Sequence, residues 1–94
     1  MKLPDEVVGG WTLDPTGQVV ADENERLIRD AVNRRLTRIG DRDGGWTTLF
    51  IDLVDSSFWE LTYPQGEYHG AGPSKLTRIA PDELSKLYPN LKTP

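Results

Sequence analysis

Cysteine is absent from this 94-residue chain, histidine occurs once, and no apolar run approaches the roughly 18 residues needed to cross a bilayer. The first absence rules out disulfides, zinc ribbons and thiol nucleophiles together. The second leaves histidine-centred catalysis and transition-metal binding without their usual parts. His69 has no second histidine, no serine in a nucleophile-elbow context and no positioned third group, and the carboxylates are scattered and do not converge. No cofactor, metal site or catalytic residue is therefore expected. The third absence excludes a membrane-spanning helix. The opening Met1-Lys2-Leu3-Pro4-Asp5-Glu6 also lacks the apolar core of a signal peptide, so a cytoplasmic protein is expected.

Hydrophobic residues make up 36% of the chain and charged ones 28%, proportions that favour a folded globule over disorder. The length suits one domain, 1–94, with one modest core and little room for a deep enclosed active site beside it. The net charge of −4 and a pI near 4.8 oppose nonspecific nucleic-acid binding, which is driven largely by neutralising phosphates. The basic residues are nevertheless clustered at Arg26, Arg29, Arg34, Arg35, Arg38 and Arg42. Such a cluster reads first as the solvated face of a helix. The competing function is a small nucleic-acid-binding module built on Arg26–Arg42.

The patterning predicts an α+β fold: a small antiparallel sheet packed against one main helix, with an N-terminal hairpin and a short C-terminal helix. Gly10 to Asp14 and Gln18 to Ala21 flank a Pro/Gly turn and read as the hairpin, with Trp11, Leu13 and Val19 inward. Asp22 offers an N-cap and Glu25 completes a capping-box pattern. Ile28, Ala31, Val32, Leu36 and Ile39 then draw one apolar stripe along a helix from about Glu23 to Ile39, closed by Gly40. Two strands, Trp46 to Ile51 and Phe58 to Tyr63, form an antiparallel pair after the Asp41-to-Gly45 turn. Trp59, Leu61 and Tyr63 lie on the face under the helix, with Phe58, Glu60 and Thr62 opposite. The stretch from Pro64 to Pro73, with two prolines and three glycines, predicts a loop. Ser74 to Ile79 is a third strand with Leu76 inward, and Pro81 opens the short helix through Leu87.

A general acid/base pair could be assembled from Glu60 or Glu67 with His69, but the supporting machinery of an active site is missing. Asp41 and Asp43 resemble the start of a calcium loop without its remaining ligands, and the acidic Glu67 inside the glycine-rich loop would repel phosphate. Binding is the better reading of that loop: Tyr68 and His69 are amphipathic, and glycines can shape them to a partner. Asp52, Asp55, Glu60 and Glu67 are expected to form an acidic surface that steers a basic partner.

The blocks Gly45-Trp46-Thr47-Thr48-Leu49-Phe50, Trp59-Glu60-Leu61-Thr62-Tyr63-Pro64-Gln65 and Glu67-Tyr68-His69-Gly70-Ala71-Gly72-Pro73 resemble the signature of the immunity protein 27 family of bacterial polymorphic-toxin systems. Gly9-Gly10-Trp11 and the arginine-bearing segment from Ile28 to Leu36 are similar to that family as well. The resemblance implies an intracellular antidote that binds a cognate toxin domain and blocks it. Between the two central strands the chain reads Asp52-Leu53-Val54-Asp55-Ser56-Ser57, where Leu53 and Val54 either extend the strand or form an exposed apolar tip that meets a partner.

Overall fold

In the computed structural model, which describes residues 3–64 and 73–89, the aromatic and β-branched runs pair as antiparallel strands and two amphipathic segments coil as helices. In chain order the elements are β1 (Glu6–Val8), β2 (Trp11–Leu13), β3 (Val19–Ala21), α1 (Glu23–Arg34), β4 (Leu36–Arg42), β5 (Thr47–Asp52), β6 (Ser57–Thr62), β7 (Lys75–Ile79) and α2 (Pro81–Leu87). Five strands form one sheet in the order β1-β7-β6-β5-β4, and β2 and β3 form a separate two-stranded arm. The fold is α+β, as the patterning predicts.

The central pairing sets the two faces of the main sheet. Phe50 lies opposite Trp59, and Leu61 lies opposite Leu76, so alternation gathers these side chains on one face. There they bury against Ile28 and Ala31 of α1, with Leu3, Val7 and Leu36 completing the cluster. The other face carries a second cluster of Leu49, Ile79 and Leu84, flanked by Phe58, Leu87 and Tyr88, and this cluster seats α2. Trp59, Leu61 and Tyr63 thus lie under the arginine-bearing helix, as their alternation predicts.

The helix ends earlier than the apolar stripe suggests. Its last helical residue is Arg34 and its C-cap is Arg35. Leu36 and Ile39 belong instead to β4, because a three-residue spacing also occurs along a strand with one extra residue. That residue is Ile39, at the bulge between Arg38, opposite Phe50, and Gly40, opposite Leu49. Gly40 is accordingly a strand residue and not a helix cap. The turn that follows is confined to Asp43–Gly45, where Gly44 and Gly45 adopt φ of +67° and +94°.

The Asp22 side chain caps α1 by accepting from the Glu25 backbone N–H at 2.8 Å. Glu25 does not return the capping-box bond. Its buried carboxylate accepts from the Ser74 backbone N–H at 2.7 Å and from the Ser74 hydroxyl, tying α1 to the start of β7. Gly9 crosses directly over this junction, donating its N–H to the Ser74 carbonyl at 2.8 Å. A methyl group at Gly9 would overlap Glu25 Oε1 and come within 2.8 Å of the Ser74 carbonyl oxygen. Gly9→Ala is therefore expected to cost about 1–3 kcal/mol through overpacking, read as a drop in melting temperature. An unchanged melt would show that this junction opens freely.

Candidate partner-binding surface

The β2–β3 arm is closed at both ends by aspartates. At its tip, Asp14 Oδ1 accepts from the Thr16 N–H at 2.9 Å, the Thr16 hydroxyl at 2.6 Å and the Gln18 N–H at 3.0 Å. The Thr16 hydroxyl and the Gln18 N–H hold this carboxyl below its ordinary range. At its base, Asp22 accepts from the Gly10 N–H at 3.1 Å, and the Asp22 N–H donates back to the Gly10 carbonyl at 2.9 Å. One aspartate thus caps α1 and clamps the arm to it.

The arm's register pairs Trp11 with Ala21 and Leu13 with Val19, which puts Trp11, Leu13 and Val19 on one side. That shared side is the expected one, but it does not face inward: the three residues are 51%, 65% and 61% exposed. Both faces of the main sheet already carry a helix, so no core is left for the arm to join. The sequence held a sign of this. Val19 and Val20 are adjacent and must point to opposite sides of a strand, so a two-stranded arm cannot bury both.

A second apolar projection lies at the β5–β6 turn, where the strand ends at Asp52 and Leu53 and Val54 stand 65% and 88% exposed. The exposed tip is thus the alternative that forms. It is held from beneath. Asp52, with 0% of its surface accessible, accepts from the Val54 N–H at 2.9 Å and pairs with Arg35. Asp55 accepts from the Ser57 hydroxyl and N–H, which keep its carboxyl below the ordinary range, and the Ser57 hydroxyl oxygen accepts from the Trp59 indole at 2.8 Å.

Glu60 lies on the face opposite Trp59, as alternation predicts, but it is only 4% exposed, with Arg42 and Tyr88 against it. It accepts from the Arg42 guanidinium at 2.7 and 3.0 Å and from the Tyr88 hydroxyl at 2.6 Å. Burial alone pushes the Glu60 carboxyl up. The hydrogen bonds from Arg42 and Tyr88, together with the Arg42 charge, outweigh it and leave the pKa below its ordinary 4.5. The hydrogen bond to Glu60 pushes Arg42 upward, and burial, followed by the hydrogen bond to Glu60, pushes the Tyr88 hydroxyl upward. Because Glu60 titrates lower in the folded chain, its contribution to stability is present above pH 4.5 and is lost as pH falls through the folded value. Melting temperature should therefore fall with acid, and Glu60→Gln should flatten that fall in melts from about pH 3 to 6. An equally steep acid limb in the variant would contradict this assignment.

The expected acidic surface is therefore corrected at two of its members. Asp52 and Glu60 are interior, each met by an arginine from the same chain, because an uncompensated buried carboxylate costs several kcal/mol, of order. Asp55 is exposed at the turn. Glu67, Tyr68 and His69 lie outside the described residues.

The arginine cluster is likewise divided and engaged. Arg29 pairs with Glu25, Arg34 with Asp30 and Arg35 with Asp52, while Arg38 and Arg42 stand on β4 against Asp41 and against Glu60 and Asp43. The family model described as Immunity protein 27 matches residues 14–80, most of the chain. The chain belongs to the Immunity protein 27 family. Membership implies an antitoxin role and a toxin as partner, and such proteins are in general not enzymes. No curated protein and no solved structure matches the chain. Among the described residues, no helix is long and apolar enough to cross a membrane. The matched span contains the Asp14 turn, α1, β4, the β5–β6 tip and β7, so the family pattern covers the apolar projections apart from Trp11 and Leu13.

Proposed function

We propose that this chain is a cytoplasmic immunity protein that binds the toxin domain of a polymorphic-toxin system and neutralises it by covering its active site. The single observation that carries the reading is membership of the Immunity protein 27 family across residues 14–80. The surface chemistry supports it. Large apolar side chains face outward on hydrogen-bonded turns, and ordered apolar groups lose little entropy on meeting a partner. Of the two carboxylates that catalysis could have used, Glu60 is buried with both oxygens taken by Arg42 and Tyr88. Asp55, Glu67, Tyr68 and His69 contact the toxin, and the net charge of −4 steers the chain toward a basic cleft such as a nuclease carries.

The nucleic-acid alternative is disfavoured by the arginines themselves. Five of the six are met by carboxylates, and the set is split between α1 and β4, so no continuous cationic stripe remains for a phosphate backbone. Co-expression tests the reading. A toxin domain is expected to be encoded directly beside this chain's gene; its expression should arrest growth, this chain should relieve the arrest, and the two should co-purify in a fixed ratio. Continued arrest with both proteins present and soluble would contradict the proposal.

A further inference from the structure

We infer that the outward side of the β2–β3 arm is a docking site for the toxin, taking an apolar side chain of the toxin against Trp11 and a neighbouring toxin carboxylate at Arg29. The inference rests on the proposed function and adds to it a second contact, distinct from Asp55.

A hollow of about 420 Å³ opens between the arm and α1, lined by Trp11, Val19, Val20, Ala21 and Arg29. Apart from Arg29 the side chains that line it are apolar, the accessible lining as a whole is about evenly polar and apolar, and the guanidinium is only partly occupied. Arg29 stands 3.4 Å from Glu25, whose oxygens already accept from Ser74, and its side chain is 61% exposed. Arg26 lies three residues back on the same side of α1 and adds a second positive charge nearby. An apolar group flanked by a carboxylate matches this chemistry, with tryptophan as the anchor, a residue type that recurs at the energetic centre of interfaces.

Two features favour the toxin over a second copy of the chain. A two-fold pairing through so small a side would bring both copies of Arg26 and Arg29 into one contact, a concentration of like charge that opposes it. Three exposed side chains also fall well short of the roughly 800 Å² per partner that a stable interface buries, so the arm serves as one part of a larger contact. The arm stands at the N-terminal end of α1, and the Asp55 turn lies beyond its C-terminal end, about 18 Å away along 12 residues. A positive anchor at one end and a negative one at the other would fix the orientation of the toxin on this surface.

The test is a titration of the toxin domain that co-expression identifies as this chain's partner, inactivated at its own active site, with the wild-type chain and with Trp11→Ala, Trp11→Phe, Val19→Ser and Arg29→Gln. Trp11→Ala is expected to weaken binding at least about 30-fold, with partial recovery in Trp11→Phe. Val19→Ser should weaken it about 5-fold, and Arg29→Gln should weaken it and reduce its salt dependence. Thermal melts show which variants keep their fold, and Val19→Ser and Arg29→Gln carry the test if Trp11→Ala does not. Wild type that binds while the folded variants bind within about 2-fold of it overturns this inference alone. Wild type that fails to bind overturns the proposed function and this inference with it. Sedimentation of the chain by itself should give a monomer, and a dimer that Trp11→Ala dissolves would assign the face to a second copy and overturn the inference.

Discussion

Replacing Arg35 with alanine is expected to destabilise the fold by about 3 kcal/mol, the lower end of what removing one partner of a buried ion pair costs. Asp52 is fully enclosed and can recover only part of its hydration when the guanidinium goes. The figure sits at the lower end because the Arg35 side chain is 30% exposed, which lets water reach part of the vacated space. At about 4–8 °C per kcal/mol, the melting temperature should fall by about 12–24 °C. Asp52→Asn should cost less, since the amide oxygen can still accept from the Val54 N–H or from Arg35, and the two substitutions together should cost less than their sum. A drop of only a degree or two in Arg35→Ala would show that Asp52 is already hydrated. The loss should also reach the exposed apolar tip, because the carboxylate that pairs with Arg35 is the one that holds Val54 in place.

Glu25→Ala should cost about 2–4 kcal/mol for a different reason, through polar groups left without partners. It would strand the buried Ser74 N–H and hydroxyl at once and cut the tie between α1 and the start of β7. Glu25→Gln keeps one acceptor oxygen and should recover a good part of the loss. The same site explains Gly9, since one of the two groups an added methyl would strike is the Glu25 carboxylate. Gly9→Ala should accordingly be milder in a Glu25→Ala background, with the clash against the Ser74 carbonyl remaining. Strict additivity of the two changes in thermal or urea unfolding would mean that they act independently.

The antiparallel pairing of the two central strands and the inward settings of Trp59, Leu61 and Leu76 were legible in the sequence, because strand alternation is a local property, whereas the register that sets Phe50 opposite Trp59 was not, since Leu53 and Val54 read equally as strand or as turn. Also legible were the Asp22 cap and Pro81 at the head of α2. The end of α1 was not, since Leu36 and Ile39 satisfy a helical stripe and a bulged strand equally well. The three-residue β1 carries too little pattern to be noticed beside Pro4 and Gly9. At the candidate site, periodicity put Trp11, Leu13 and Val19 together but could not say what covers them; that depends on α1 and α2 having already filled both faces of the sheet. Asp52 and Glu60 read as surface carboxylates because their arginine partners lie 17 and 18 residues away, a distance over which only the folded sheet brings them together.

Neutralisation by direct contact is tested most directly by titrating purified, active toxin domain with this chain and following the toxin's turnover. The account predicts a linear loss of activity that reaches zero near one equivalent, with no product arising from the chain itself. Full toxin activity in the presence of excess folded chain, or loss of activity that depends on this chain turning over a substrate, would contradict it.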